Sequence, residues 1–310
     1  MNTADGRAAF GFVFPTSAAQ FWSINAMRTA ILALLFCWAG ASAHAEDRPF
    51  FVFDNGLRGD RWTTIDAQLD LAKEIGFDGL SWRTDSPERI KQVLDGAKRR
   101  GLKVFAIYCN IDLKDGKAVY DQRLREIIPL CKGSETMLWP NITSKQYPRS
   151  SPEGDDAAVA GLRELAELCE PNGLRIALYP HVNMWLHRVE DAIRVVKKVE
   201  RKNVGLTFNL CHALLDGAEP RVPELIEQAA PYLFLVSING ADSGASPKEM
   251  ARNIQRLDQG TYDVGAVLRK LDEVGYRGPI GLQCYQVPGP ADEMLRRSMD
   301  AWRKLTAKRP

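Results

Sequence analysis

The chain has 310 residues, 45% of them hydrophobic and 26% charged, with 24 Gly and 17 Pro; this balance excludes disorder, collagen-like repetition and a disulfide-dense miniprotein. Its 41 basic and 39 acidic residues leave a formal net charge of +2. The charges are interspersed, so there is no basic stripe of the kind that binds nucleic-acid phosphates, and no nucleic-acid partner is expected.

The amino-terminal segment differs from the rest. Residues 29–39 form an uncharged apolar run, preceded by Met27-Arg28 and followed by Gly-Ala-Ser-Ala-His-Ala. A charged start, an apolar core and an A-x-A site at Ala43-His44-Ala45 are the parts of a secretory signal peptide. The run falls short of the roughly 20 apolar residues of a membrane-spanning helix. The expectation is a leader and amino-terminal extension over residues 1–45, a mature chain from Glu46, and export to the periplasm or medium without stable membrane insertion. Residues 1–26 read as an over-extended start. Phe36 stands before Cys37 where lipid attachment calls for a small residue, which favours a soluble exported protein over a lipoprotein.

Residues 46–310 read as one domain, close in length to the roughly 250 residues of a (β/α)8 barrel. Short apolar runs alternate with helix-length amphipathic segments. A strand at Phe50–Asp54 precedes a helix over 64–75, and one at Gly79–Trp82 a helix over 87–100. Lys103–Cys109 precedes 118–131, Thr136–Trp139 precedes 155–171, and Arg175–Tyr179 precedes 188–200. Val204–Phe208, Phe234–Ile238 and Pro279–Gln283 precede helices over 221–230, 263–274 and 290–306. Near-continuous apolar strands alternating with helices specify a parallel sheet covered outside. Eight such units predict an α/β fold, a single (β/α)8 TIM barrel. Gly76, Gly101, Gly173 and Gly275 stand where each helix must turn into the next strand. Cys109, Cys131, Cys169, Cys211 and Cys284, odd in number and without paired spacing, read as buried thiols.

In a barrel, function lies just past the strands. There the chain places Asp54, Trp82, Tyr108, Trp139, Tyr179, His181, Asn209, His212, Asn239, Asp242 and Gln283. Aromatic faces beside amides suit a neutral polyhydroxylated ligand, because sugar C–H faces pack on rings while amides both donate and accept. Trp82, Tyr108 and Trp139 either line such a site or plug the barrel top. His181 and His212 sit where a general acid or base is expected. His187, opening a helix, reads as a surface or capping residue.

The runs Leu174–His181, Asn203–His212, Leu233–Asp242 and Gly275–Gln283 resemble consecutive motifs of the xylose isomerase-like TIM barrels, a group of sugar isomerases, epimerases and apurinic endonucleases. The resemblance implies a divalent metal, Mn, Mg or Co, held by Glu, Asp, His and Glu, with the two Glu moving the proton. Those positions fall on Tyr179, Asn209, Asn239 and Gln283, all changed, while His212 of the D-x-x-H motif is retained. Amides and a phenol lack the negative charge that holds a hard dication, so no metal at the family position and no other cofactor is expected; a metal elsewhere on the rim, through His181, His212 and Asp242, stays open.

The resulting expectation is an isomerase- or epimerase-like exported protein that takes a small sugar or sugar derivative. His212 or His181 would act as acid or base, with Asp54 or Asp242 orienting it. Trp82, Tyr108, Trp139, Tyr179, Asn209, Asn239, Asp242 and Gln283 would hold substrate. The alternative is a barrel that binds carbohydrate without turning it over.

Overall fold

The computed structural model describes residues 48–307 and, apart from them, residue 11. The leader expected over residues 1–45, with its cleavage point and Cys37, lies outside the described residues.

Among the described residues nine strands make one sheet: β1 (Phe50–Val52), β2 (Gly79–Arg83), β3 (Lys103–Lys114), β4 (Lys117–Tyr120), β5 (Met137–Ser144), β6 (Arg175–Leu178), β7 (Val204–Asn209), β8 (Leu233–Ile238) and β9 (Ile280–Leu282). All but β4 run parallel, and β1 pairs with both β2 and β9. The sheet thus closes into the expected (β/α)8 barrel. Its helices are α1 (Ile65–Ile75), α2 (Pro87–Arg99), α3 (Leu124–Leu130), α4 (Asp155–Cys169), α5 (Val189–Val199), α6 (Leu210–Leu215), α7 (Val222–Ala229), α8 (Met250–Asn253), α9 (Val264–Glu273) and α10 (Ala291–Thr306).

Local chemistry sets these limits. The Thr64 hydroxyl accepts from Ala67 N–H and starts α1, and Ser86 accepts from Arg89 N–H ahead of Pro87 to start α2. Gly76 ends α1 at φ 99°, a left-handed turn that a side chain would strain.

Alternate residues of each strand face the barrel axis. Phe51, Phe53, Phe105, Met137, Trp139, Tyr179 and Leu235 form the inner cluster. Val52, Leu80, Ile107, Leu138, Leu178 and Leu206 face the helices. The interior is crowded with rings, and glycine supplies the room: a Cβ on Gly281 would fall 2.5 Å from Phe51. The five cysteines of the described chain are free and buried, as expected.

One expected helix is corrected. Residues 118–131 begin not as helix but as β4, which pairs antiparallel with the end of β3. Asp115 and Gly116 both take positive φ, 52° and 70°, the backbone of a two-residue hairpin turn for which Asp-Gly is a strong signal. The hairpin rests on α4. A Cβ on Gly161 would lie 2.3 Å from that of Ala118, and Tyr120 Oη donates to Glu164 Oε1 at 2.6 Å.

Candidate functional site

Strand parity carries Trp139 and Asn141 of β5, Thr207 and Asn209 of β7, and Ser237 and Asn239 of β8 and its end toward the axis, with Tyr179 and Gln283 just beyond β6 and β9. Three of them meet. Asn209 Nδ2 donates to Tyr179 Oη at 2.8 Å and Gln283 Nε2 donates to the same oxygen at 3.2 Å. His212 Nε2 lies 3.1 Å from it on a third side. An oxygen that accepts from two amides has its own hydrogen left to donate, so the phenol donates to His212 Nε2. The His212 ring proton is then on Nδ1, which has no partner among the described residues.

The amide orientations follow from the backbone. Asn209 caps α6, its Oδ1 accepting His212 N–H at 3.1 Å. Gln283 Oε1 accepts Tyr285 N–H at 3.1 Å. A backbone N–H can only donate, so each amide must turn its oxygen outward to the backbone and its nitrogen inward to Tyr179. The D-x-x-H spacing is here an N-cap spacing that ties position 209 to residue 212.

The cluster is dry: Tyr179 is 3% exposed, Asn209 3%, Gln283 5% and His212 7%. Burial pushes the Tyr179 hydroxyl well above the ordinary tyrosine range. Burial, followed by the nearby His181 and His187 rings, pushes His212 well below the ordinary histidine range. His181 lies against His212 with centroids 3.8 Å apart and the rings tilted by 42°, and it is only half-buried. Its Nδ1 lies 2.8 Å from Val182 O, an acceptor that fixes the ring proton on Nδ1 and leaves the Nε2 lone pair free. Burial lowers the His181 pKa, against the smaller opposing effect of that hydrogen bond.

The aromatic wall beneath is packed edge to face. Tyr108 meets Trp139 and Tyr179 at 6.2 and 5.6 Å between centroids, and its hydroxyl bonds Asn141 Nδ2. Trp139 is 1% exposed and its Nε1 donates to Thr207 Oγ1 at 2.7 Å, so it plugs the barrel. Asn141 and Thr207, not singled out above as substrate-binding, hold this wall; Asn141, two residues past Trp139, shares its face by strand period alone.

Several expected placements are corrected. Trp82, 1% exposed, packs in the helix-facing cluster and not over the axis. Asp54 orients no histidine: its Oδ2 pairs with Arg58 and accepts from Arg83 Nη1 at 2.5 Å. Asp242 is likewise occupied, accepting from Arg252 Nε at 2.9 Å, a bond that lowers its pKa. Asn239 turns Nδ2 to Gly240 O at 2.8 Å and Asn253 O at 2.9 Å, securing the long loop after β8. His187 is not a surface residue: it is 8% exposed, accepts Asn183 N–H on Nδ1 at 2.9 Å and lies 2.8 Å from Asp216 through Nε2.

A family model described as xylose isomerase-like TIM barrel matches residues 69–305, and the chain belongs to that family. It is 24% identical over 243 residues to the inosose isomerase of Bacillus velezensis, a match covering 72% of this chain and 84% of that protein. It is 24% identical over 185 residues to an uncharacterized protein of Methanocaldococcus jannaschii, where the match spans 59% of this chain but only 57% of the relative. The solved structure of 3-keto-D-glucoside 4-epimerase from E. coli is similar with a TM-score of 0.65 at 17% identity, over 83% of this chain and 99% of that one. At that identity the likeness speaks to the fold alone.

Proposed function

We propose that this member of the family is a carbohydrate-directed isomerase- or epimerase-like barrel that works without the divalent metal implied by its resemblance to the metal-dependent sugar isomerases. The supporting observation is the orientation of the two amides. Asn209 and Gln283 spend their oxygens on backbone N–H groups and present N–H donors to the centre. A hard dication needs several anionic or carbonyl oxygens; a protonated phenol, two amide N–H groups, one imidazole and the single amide oxygen of Asn239, unpartnered among the described residues, do not fit it. No step is therefore routed through a metal.

In this reading His181 is the base. It is the more accessible of the two adjoining imidazoles, its Nε2 lone pair is free, and its lowered pKa keeps it unprotonated at neutral pH. A carbon next to a carbonyl would give its proton to His181 Nε2. His212, held by Tyr179 with its proton on a buried Nδ1, lies against His181 with ring centroids 3.8 Å apart and positions that base. We further read the chain as exported, from the leader-like sequence of residues 27–45.

The test is solvent deuterium exchange into allulose, inosose and 3-keto-glucosides, in chelator. Exchange that His181→Asn lowers by about a hundredfold or more, with no response to Mn, Mg or Co, is the expected result. Activity that appears only on adding metal overturns it. A non-catalytic carbohydrate-binding barrel is the second reading. His212, the other candidate acid or base, has its Nε2 taken by Tyr179 and its Nδ1 buried without a partner among the described residues, which favours it. Saturable sugar binding without exchange would decide for it.

A further inference from the structure

Beside His181, on the same rim, lies a separate cavity of about 800 Å³, within the size range of small-molecule sites. It is built by residues 149–150 beyond β5, 182–188 beyond β6, the end of α6, and 247–250 beyond β8. Its wall carries Arg149, Arg188 and Lys248 against a single carboxylate, Asp216.

That carboxylate is already engaged. Its Oδ1 is bound by His187 Nε2 at 2.8 Å and its Oδ2 faces Arg188 Nε at 3.4 Å. Because Nδ1 of His187 accepts the Asn183 amide hydrogen, the ring proton is the one pointing at Asp216, and both nitrogens are spent on holding the wall. Arg149 donates to a neutral partner, Asn183 Oδ1, at 2.9 Å, which leaves its charge uncompensated. Lys248 has no ion pair among the described residues. The backbone is held in place around these cations. Ser150 and Asn183 line the cavity with φ of 61° and 70°, a conformation that side chains other than Gly, Asn and Asp rarely adopt. Ser150 is pinned there by N–H to Trp185 O at 3.0 Å and Oγ to Asp191 Oδ2 at 2.6 Å.

We infer that this cavity binds an oxyanion, a carboxylate or phosphate, carried on a small polyhydroxylated molecule. Guanidinium groups match such anions in a planar fork and the lysine adds a point charge. The mixed polar lining, with Val182 and Leu215 among the charges, suits the carbon frame that bears the anion. The inference concerns binding and does not depend on turnover at His181.

Calorimetric titration of the whole chain with glucose 6-phosphate, glucuronate and glucose tests it. The expected result is that at least one anionic sugar binds about tenfold or more tighter than glucose. That advantage should vanish in Arg149→Glu/Lys248→Glu, whose altered side chains are solvent-exposed, with the circular dichroism spectrum retained. It should also collapse at about 1 M salt, where the Debye length is about 3 Å. Preference for glucose 6-phosphate, shared by inorganic phosphate, assigns the phosphate; preference for glucuronate assigns the carboxylate. Equal affinities for charged and neutral sugars, or an anion preference untouched by the double variant, overturn the inference. Absence of deuterium exchange with anion preference intact removes only the catalytic reading of His181.

Discussion

The barrel axis and the lateral cavity sit on one rim and solve the same problem, polar groups near a protein surface, in opposite ways. At the axis Tyr179, Asn209, His212 and Gln283 bond one another, with only His212 Nδ1 left without a partner among the described residues, and are nearly dry. In the cavity Arg149, Arg188 and Lys248 stay solvated and outnumber their one carboxylate. Mutual satisfaction makes a polar cluster part of the core, so its loss costs stability. Unmatched charge leaves the fold alone and stays available to a ligand.

The sharpest way to break this contrast is Tyr179→Ala. It empties a buried ring site and strips three polar partners, and should cost about 3–5 kcal/mol, read as a lowered midpoint in urea unfolding. Tyr179→Phe keeps the ring and removes only the hydroxyl, leaving Asn209 Nδ2, Gln283 Nε2 and His212 Nε2 without their shared partner. About 2 kcal/mol is expected, and an unchanged midpoint would mean that the hub is not a unit.

The pH dependence separates the regions next. His212 and His181 titrate lower folded than unfolded, so the unfolded chain binds more protons. Their stabilisation is complete above the unfolded value near 6.5 and is lost as pH falls from there toward the depressed folded values, by at most about 1.4 kcal/mol per group per pH unit. His212→Gln should flatten the slope of stability against pH below about 6.5, with His181 supplying the remainder. A slope identical to the parent chain would place the effect elsewhere. The smallest effect is expected in the cavity: Arg149→Ala and Lys248→Ala should each shift stability by no more than about 0.5 kcal/mol. A larger loss in thermal melts would show that those side chains belong to the fold.

Much of this was legible in the chain. The alternation of apolar runs and amphipathic segments predicts the barrel and most helix limits, because burying one face per element is a local requirement. The matched motif positions brought Tyr179, Asn209, His212 and Gln283 to one rim. Elsewhere the reading slipped by small steps with large consequences. Trp82 is one residue out of phase with the axis, and a strand turns one residue into the opposite face. The hairpin at Asp115-Gly116 was missed because the apolar spacing of 118–131 also satisfies a helix. Asp54 and Asp242 are expected to orient a histidine, yet arginines four and 29 residues away in one case and ten in the other hold them.

By itself, then, the sequence determined the architecture and which side chains gather at the carboxyl ends of the strands, since both follow from period and order along the chain. Only the tertiary structure decided what those side chains face. The inward turn of the Asn209 and Gln283 nitrogens depends on which backbone N–H groups their oxygens meet, and the charge of the lateral cavity depends on four loops far apart in sequence. Hydrogen-bond direction and charge balance are properties of neighbours in space, and the fold alone selects those neighbours.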